Sequence, residues 1–433
     1  MNESSSSNGR PLGVGLLGCG TVGSSLARLL IEDADHITAR TGLELELRSV
    51  VVRNLSATRD VDLPEGVLSR DAATVVEAPD VDIVVETIGG IEPARSYVLA
   101  ALKSGKAVVT ANKELVANCG AELFETAEAA GADLYFEAAV AGGIPIMRAL
   151  RESLAGERIT KLMGIVNGTT NFILTKMTEE GAAYAEVLAE AQQLGYAEAD
   201  PTADVEGHDA GAKAAIMATI GFGCHVVAGD VYQEGISKLT PDDIAAAARL
   251  DHVIKLLAIA ERVDGEVAVR VHPAMVPMTH PLAAVRDSFN AVFVRGEAVD
   301  DLMLYGRGAG GFPTALAMLG DVVAAASNRQ RSTTAEPLRL SPATIRPIDQ
   351  TSSAFYLALD VDDQPGVLAS VATVFGENGV SIRSMEQHGE GGGARITFIT
   401  HTALEADVQA TLRGLRDLDA VTRVGAVVRV IGD

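Results

Sequence analysis

Five carboxylates, Glu198, Asp200, Asp204, Glu206 and Asp209, lead to one lysine, Lys213, in the stretch GYAEADPTADVEGHDAGAK, residues 195–213. Such a segment suits a small cationic ligand. Asp209 and Lys213 stand four apart, so a helix starting here puts both side chains on one face, with the acid at the end that favours negative charge. Residues 214–222 are almost wholly apolar, which sets Lys213 at the edge of a buried helix. There its ammonium can be desolvated and its proton made available for acid–base chemistry. A helix-start ion pair with no chemical role has the same pattern.

A second chemical feature is PLGVGLLGCGTVGSSLARLL, residues 11–30. The apolar run Val14 to Leu17 predicts a buried strand, and Gly18, Gly20 and Gly23 follow at GxGxxG spacing, with Thr21 and Val22 inside the turn, before a helical pattern. Gly18 allows the tight turn, Gly20 lets a pyrophosphate approach the backbone, Gly23 packs helix on strand, and the helix N-terminus faces the phosphates. The next strand, Glu44 to Val52, ends in Arg53 where an NAD-preferring site carries an acid. Arginine matches a 2′-phosphate, which favours NADP, with NAD possible; a solvated strand end is the other reading of Arg53.

These residues need a doubly wound α/β frame. Strands are expected at Val14–Leu17, Leu45–Val52, Asp82–Glu86, Ala107–Thr110 and Asp133–Ala138, alternating with helices in a Rossmann-type dinucleotide-binding domain, residues 11–141. Two strand ends carry ligand-facing loops, ETIGG with Thr87 and TANKELVA with Thr110 and Lys113. Lys113 is placed beside the nicotinamide, or else is a surface lysine at a turn. An α/β substrate domain covers 142–305, with strand-like runs at Glu266–Val271 and Ala291–Val294. The glycine-rich stretch YGRGAGGFPTALAMLGDVVAA returns to the cofactor as residues 306–325. A polar linker is expected over 326–353. The tail, 354–433, reads β-α-β-β-α-β, a ferredoxin-like unit poor in reactive side chains.

The 433 residues are 48% hydrophobic and carry a formal charge of −23. That balance supports folded domains and argues against nucleic acid or an anionic membrane as partner. No run is long and apolar enough to span a bilayer. Cys19, Cys119 and Cys224 are too scattered for a disulfide framework or thiolate metal site, which points to the cytoplasm. The start, MNESSSSNGR, is expected to be a disordered tail. One rival reading, a phosphorylating semialdehyde dehydrogenase, requires a nucleophilic cysteine, and none has an obvious activating partner. Another, a non-enzymatic amino-acid sensor, leaves Lys213 without a purpose.

The motifs GLLGCGTVG, TANKELVA, FEAAVAGGIPIM, GIVNGTTNFIL, GYAEADPTADVEGHDAGAK and GRGAGGFPTA, in that order, resemble those of homoserine dehydrogenases. DDQPGVLASVATVFGENGVSI is similar to the opening of an ACT domain. The resemblance implies reversible reduction of aspartate 4-semialdehyde to homoserine by NAD(P)H, on the route to threonine, methionine and isoleucine. It makes Lys213 the proton donor, Asp209 its orienting and substrate-holding partner, and Glu198 the partner of the substrate ammonium, with Asp204 in the same pocket. It puts Lys113 by the cofactor and substrate, and Gly195 and Gly310 at further cofactor contacts. It also implies a monovalent cation, usually sodium, at Glu137, Val140, Gly142 and Ile144. For the tail it implies a small-amino-acid effector, threonine first, at Asp363, Gly366, Val367 and Leu368 and near Asn378, and for the whole protein a homo-oligomer, dimer or tetramer.

Overall fold

The computed structural model describes residues 10–390 and 393–432. The expected N-terminal tail therefore lies outside the described residues except for Arg10, whose guanidinium donates to both oxygens of Asp82, at 2.8 and 3.0 Å. Backbone contacts divide the chain into two compact units, one of residues 1–156, 219–227 and 306–341, the other of 157–218, 228–305 and 342–433.

The first unit is built on six parallel strands, β1 (Leu12–Leu17), β2 (Leu45–Val51), β3 (Leu68–Ser69), β4 (Ile83–Glu86), β5 (Ala107–Thr110) and β6 (Leu134–Tyr135), in the order 3-2-1-4-5-6. All four residues of β4 and of β5 are buried, as expected for strands covered on both faces. The helix Gly311–Gln330 returns to this unit, and its Met318 and Val322 join Leu16, Leu26, Val50 and Val85 in one apolar core. That helix runs past the point where a linker was expected, because its last turns still pack: Asn328 donates to Asp133 and to the Tyr135 hydroxyl, both at 3.0 Å. The strand expected at Asp133–Ala138 stops at Tyr135 and gives way to a 3-10 turn, Glu137–Ala139.

The second unit holds a mixed sheet. Its first half runs Asp300–Arg307, Phe289–Gly296, β7 (Ile159–Ile165), His252–Val263 and Glu266–Pro277, antiparallel where β7 meets its two neighbours and in the 252–277 hairpin. One face packs Met163, Ile165, Leu257, Ile259, Ala291 and Phe293 into a core. The other receives the Lys213 helix (His208–Phe222): a Cβ on Gly164 would stand 3.6 Å from the Met217 methyl.

The tail forms the expected β-α-β-β-α-β unit, with strands Ser352–Asp362, Ile382–Glu390, Gly393–Thr400 and Val421–Val430 and helices Val367–Glu377 and Glu405–Arg416 around its own core of Phe355, Leu357, Phe375, Phe398 and Leu412. It does not hang on a free linker. Val421–Val430 joins Glu266–Pro277 in parallel, Ala274 opposite Arg429 and Met275 opposite Val430, so the tail's sheet continues the substrate domain's. Before it, Thr344 and Arg346 exchange backbone hydrogen bonds with Val267, and the Arg346 guanidinium reaches Glu266 and Asp264.

Candidate active site

In the order 3-2-1-4-5-6, the sense in which successive strands are added reverses between β1 and β4, and ligands of such sheets bind at that point beyond the strand ends. Both ends carry the expected loops. Gly18 has φ +103°, and a Cβ there would press on Thr87; a Cβ on Gly23 would lie 2.5 Å from the Gly18 carbonyl. Nothing lies within 4 Å of the corresponding point on Gly20, which leaves its backbone open to a phosphate. The helix Thr21–Glu32 begins there without a side-chain cap, so no side chain occupies its first N–H groups. A Cβ on Gly311 would meet Ser25 and Thr21, so the helix that follows Gly310 starts against the same first turn.

The hydroxyls of Thr87 and Thr110 have structural tasks. Thr87 donates to the carbonyls of Leu17 and Gly18, at 3.2 and 3.1 Å, bracing the glycine turn. Thr110 donates to Glu86 at 2.6 Å. Glu86, fully buried, also accepts the N–H groups of Ile88 and Gly89 and so shapes the loop after β4. Lys113 opens the helix Lys113–Ala130 next to its cap, Asn112. Arg53 is exposed just beyond β2.

The acidic segment lies in the second unit. Lys213 Nζ donates to Asp209 Oδ2 at 2.7 Å and to the Val166 carbonyl at 2.7 Å, with the lysine side chain 12% and the carboxylate 6% exposed. The Asn167 amide donates to Asp209 Oδ2 at 2.9 Å and to Asp204 Oδ1 at 2.7 Å. Asn167 also caps the helix Gly168–Glu180, its Oδ1 accepting Thr170 N–H at 2.8 Å. Four residues from three segments thus converge. Sequence reading picked three of them and missed Asn167, whose only signal was an N-cap asparagine before GTTNFIL. Glu198 is exposed on the loop after Gly195, which has φ +77°.

A further buried lysine escaped notice. Lys255 donates to Asn171 Oδ1 at 3.0 Å and to the Val285 carbonyl at 2.5 Å. Burial, and then Arg286, pulls its ammonium down to about 8.

Of the residues expected to hold a cation, the Glu137 carboxylate accepts the N–H groups of Met147 and Arg148, both at 2.8 Å, and burial raises its carboxyl. Val140, Gly142 and Ile144 are buried in the following turn, where Ala141 and Gly142 have positive φ and the Ile144 carbonyl accepts Ile146 N–H. Among the described residues no cluster of three or more His, Cys, Asp or Glu could hold a metal. In the tail, Gly366 (φ +95°) starts the helix Val367–Glu377, but Asn378 ends it. Eleven helical residues span about 16 Å, so Gly366 and Asn378 stand at opposite ends of one helix. Burial pushes the Cys119 thiol up, away from the thiolate form that a nucleophile uses.

A phosphate turn at the switch point of a parallel sheet defines the class as dinucleotide-binding, and comparison with known proteins places the chain within it. Residues 18–137 match the NAD-binding domain of homoserine dehydrogenase, residues 145–323 match homoserine dehydrogenase, and residues 355–420 match the ACT domain. The homoserine dehydrogenase of Corynebacterium glutamicum is 51% identical over 432 residues, covering 98% of this chain and 97% of that protein; that of Mycobacterium tuberculosis is 48% identical over 435 residues, covering 98% of each. A crystal structure of the enzyme from Thiobacillus denitrificans has TM-score 0.93 at 43% identity, covering 98% of both chains. A hyperthermophilic archaeal homoserine dehydrogenase in complex with NADPH has TM-score 0.62 at 28% identity, covering 76% of this chain and 100% of its own. The chain belongs to the homoserine dehydrogenase family, as an oxidoreductase with a Rossmann-type NAD-binding domain and a C-terminal ACT domain. No helix among the described residues is long and apolar enough to cross a membrane.

Proposed function

We propose that Lys213 is the proton donor for reduction of aspartate 4-semialdehyde to homoserine, and that the observation carrying this role is the bond from its ammonium to Asp209 within the Asn167–Asp204 set. A bound nicotinamide supplies the hydride to the aldehyde carbon. The chain's own work is placement and charge. Lys213 stabilises the developing alkoxide and gives its oxygen a proton; Asp209 keeps the ammonium aimed, and Asn167 keeps Asp209 from turning away. Asp204 and the exposed Glu198 supply negative charge for the substrate's ammonium.

The open backbone at Gly20, the uncapped helix start and the turn braced by Thr87 fit a dinucleotide pyrophosphate, and Arg53 past β2 suits the 2′-phosphate of NADP. Glu137 with the carbonyls of Val140, Gly142 and Ile144 fits a monovalent cation in donor chemistry, being all hard oxygens, with lone pairs left on the Glu137 carboxylate. Replacing sodium by a bulky organic cation should then lower the melting temperature. The ACT unit serves a small amino acid, threonine by the chemistry of the pathway's end product, and the enzyme works in the cytoplasm as a homo-oligomer. The test of the central role is Lys213→Ala, which should keep NADPH affinity and lose about 10²- to 10⁴-fold in turnover. A folded variant with near-normal turnover would remove Lys213 from the chemistry.

A further inference from the structure

The Lys213 helix does not stand alone at its first turn. The short strand Tyr232–Gln233 pairs in parallel with Glu266–Pro277, and the Gln233 amide lies across the helix start. Gln233 Oε1 is 2.6 Å from His208 Nδ1, and a Cβ on Gly211 would overlap the Gln233 amide nitrogen. Asp209 falls between His208 and Gly211 in the sequence of that first turn. The next residues press on the turn that feeds the helix: Ile236 N–H donates to the Val205 carbonyl at 2.8 Å, and a Cβ on Gly235 would overlap that same carbonyl.

Glu234, between Gln233 and Gly235, is held from the tail. Arg429, on the tail's last strand and 5% exposed, donates through Nη1 to Glu234 Oε2 at 2.8 Å. Its other two nitrogens, Nε and Nη2, form a fork on Glu405, at 2.9 and 2.8 Å, and its guanidinium stands over the ring of Tyr232, 5.3 Å from the centroid. A buried guanidinium fixed bidentately on one carboxylate has a defined direction. Its remaining arm therefore sets where Glu234 and the strand beside it can lie.

We infer that Gln233 and Glu234 are positioning residues for the Lys213–Asp209 pair, and that Arg429 of the ACT unit holds them in place. Neither residue touches the reacting atoms; both act through the first helical turn. The consequence is that the geometry of the proton donor depends on a side chain more than two hundred positions along the chain. Because misplacement of a reacting group by about 1 Å can cost on the order of 10²-fold in rate, loss of one such contact should appear in turnover.

The inference rests on the proposed role of Lys213, so Lys213→Ala is measured in the same series. The full-length protein is compared with Gln233→Ala, with Glu234→Ala, which frees the strand while leaving the Arg429–Glu405 fork intact, and with the double variant. His208→Gln, which keeps a side-chain donor for Gln233, is the conservative control. We expect each single alanine variant to lose about tenfold in kcat with KM for NADPH unchanged, His208→Gln to stay within about threefold of the parent, and the double variant to be no worse than the worse single, since the two act in one chain. If Lys213→Ala is inactive while both alanine variants keep kcat within twofold and only melt earlier, the seam is merely structural and the inference fails. Multiplicative losses in the double variant would equally overturn it. Retained turnover in Lys213→Ala would instead sink the proton-donor reading.

Discussion

Asn167→Ser separates two tasks that one side chain performs. Serine is as good an N-cap as asparagine, so the start of the helix Gly168–Glu180 keeps its acceptor for Thr170 N–H, and the melting temperature should hardly move. What disappears is the amide that donates to Asp209 at 2.9 Å and Asp204 at 2.7 Å. A hydrogen bond to a charged group contributes about 1.5–3 kcal/mol. Only the bond to Asp209 bears on the aim of Lys213, so its loss sets the expected effect, about 10- to 150-fold in kcat at 1.36 kcal/mol per decade. The bond to Asp204 should appear separately, as a higher KM for homoserine with no change in KM for NADP. The assay is steady-state oxidation of homoserine, followed at the reduced nicotinamide, with the melting temperature of each preparation recorded. A variant that melts like the parent and turns over within a factor of two of it would show that Asp209 needs no support from Asn167, and the four-residue set would lose its meaning.

Other perturbations test separate parts of the reading. Arg53→Asp should shift the ratio of specificity constants toward NAD by repelling a 2′-phosphate; an unmoved ratio returns Arg53 to the role of a solvated strand end. Gly366→Val puts a β-branched side chain where φ is +95°, and should abolish inhibition by millimolar threonine while leaving uninhibited turnover within about twofold; full inhibition in the variant would move the effector elsewhere. Lys255 titrates at about 8 in the folded protein against 10.5 unfolded, so folding is favoured fully above pH 10.5 and loses that contribution as pH falls through 8. The difference, 2.5 pH units, amounts to about 3 kcal/mol. In urea unfolding, the parent should therefore gain on Lys255→Met by about 2 kcal/mol between pH 8 and 9.5, and a constant gap between the two would refute the buried-lysine account.

Where local pattern and tertiary need coincide, the sequence is transparent. Val and Leu runs ending in GxGxxG can hardly be anything but β1 and its turn, and the tail's helices appear where their apolar periodicity predicts them. The strand His252–Val263 was missed for a physical reason. HVIKLLAIAERV has no alternation, because seven consecutive residues, Ile254–Ala260, are buried, and such a run resembles a core helix as much as a strand. Asn167 was opaque for another: its partners lie 37 and 42 residues away, and no local rule connects an N-cap to two distant carboxylates. The polar stretch after Ala326 looked like a linker because composition records solvation and not pairing. Asn328 and Arg346 within it are instead tied to Asp133 and to Glu266 and Asp264, respectively.

The junction at Arg429 changes how regulation has to be tested. Cutting the chain after Asn328 looks from sequence like clean removal of an effector module. It would end the helix Gly311–Gln330 early, remove the strand that pairs with Ala274 and Met275, and leave Glu234 facing no guanidinium. Turnover would then fall whether or not any amino acid binds the tail, since an edge newly exposed on Glu266–Pro277 and an unpaired carboxylate both act on the strand beside the Lys213 helix. A truncated enzyme that is slow and insensitive to threonine would say nothing about allostery, because linkage requires two states of an intact assembly that the effector distinguishes. Point changes at Gly366, far from that seam in the chain, leave the sheet whole, and only they can tell loss of an effector from loss of a support.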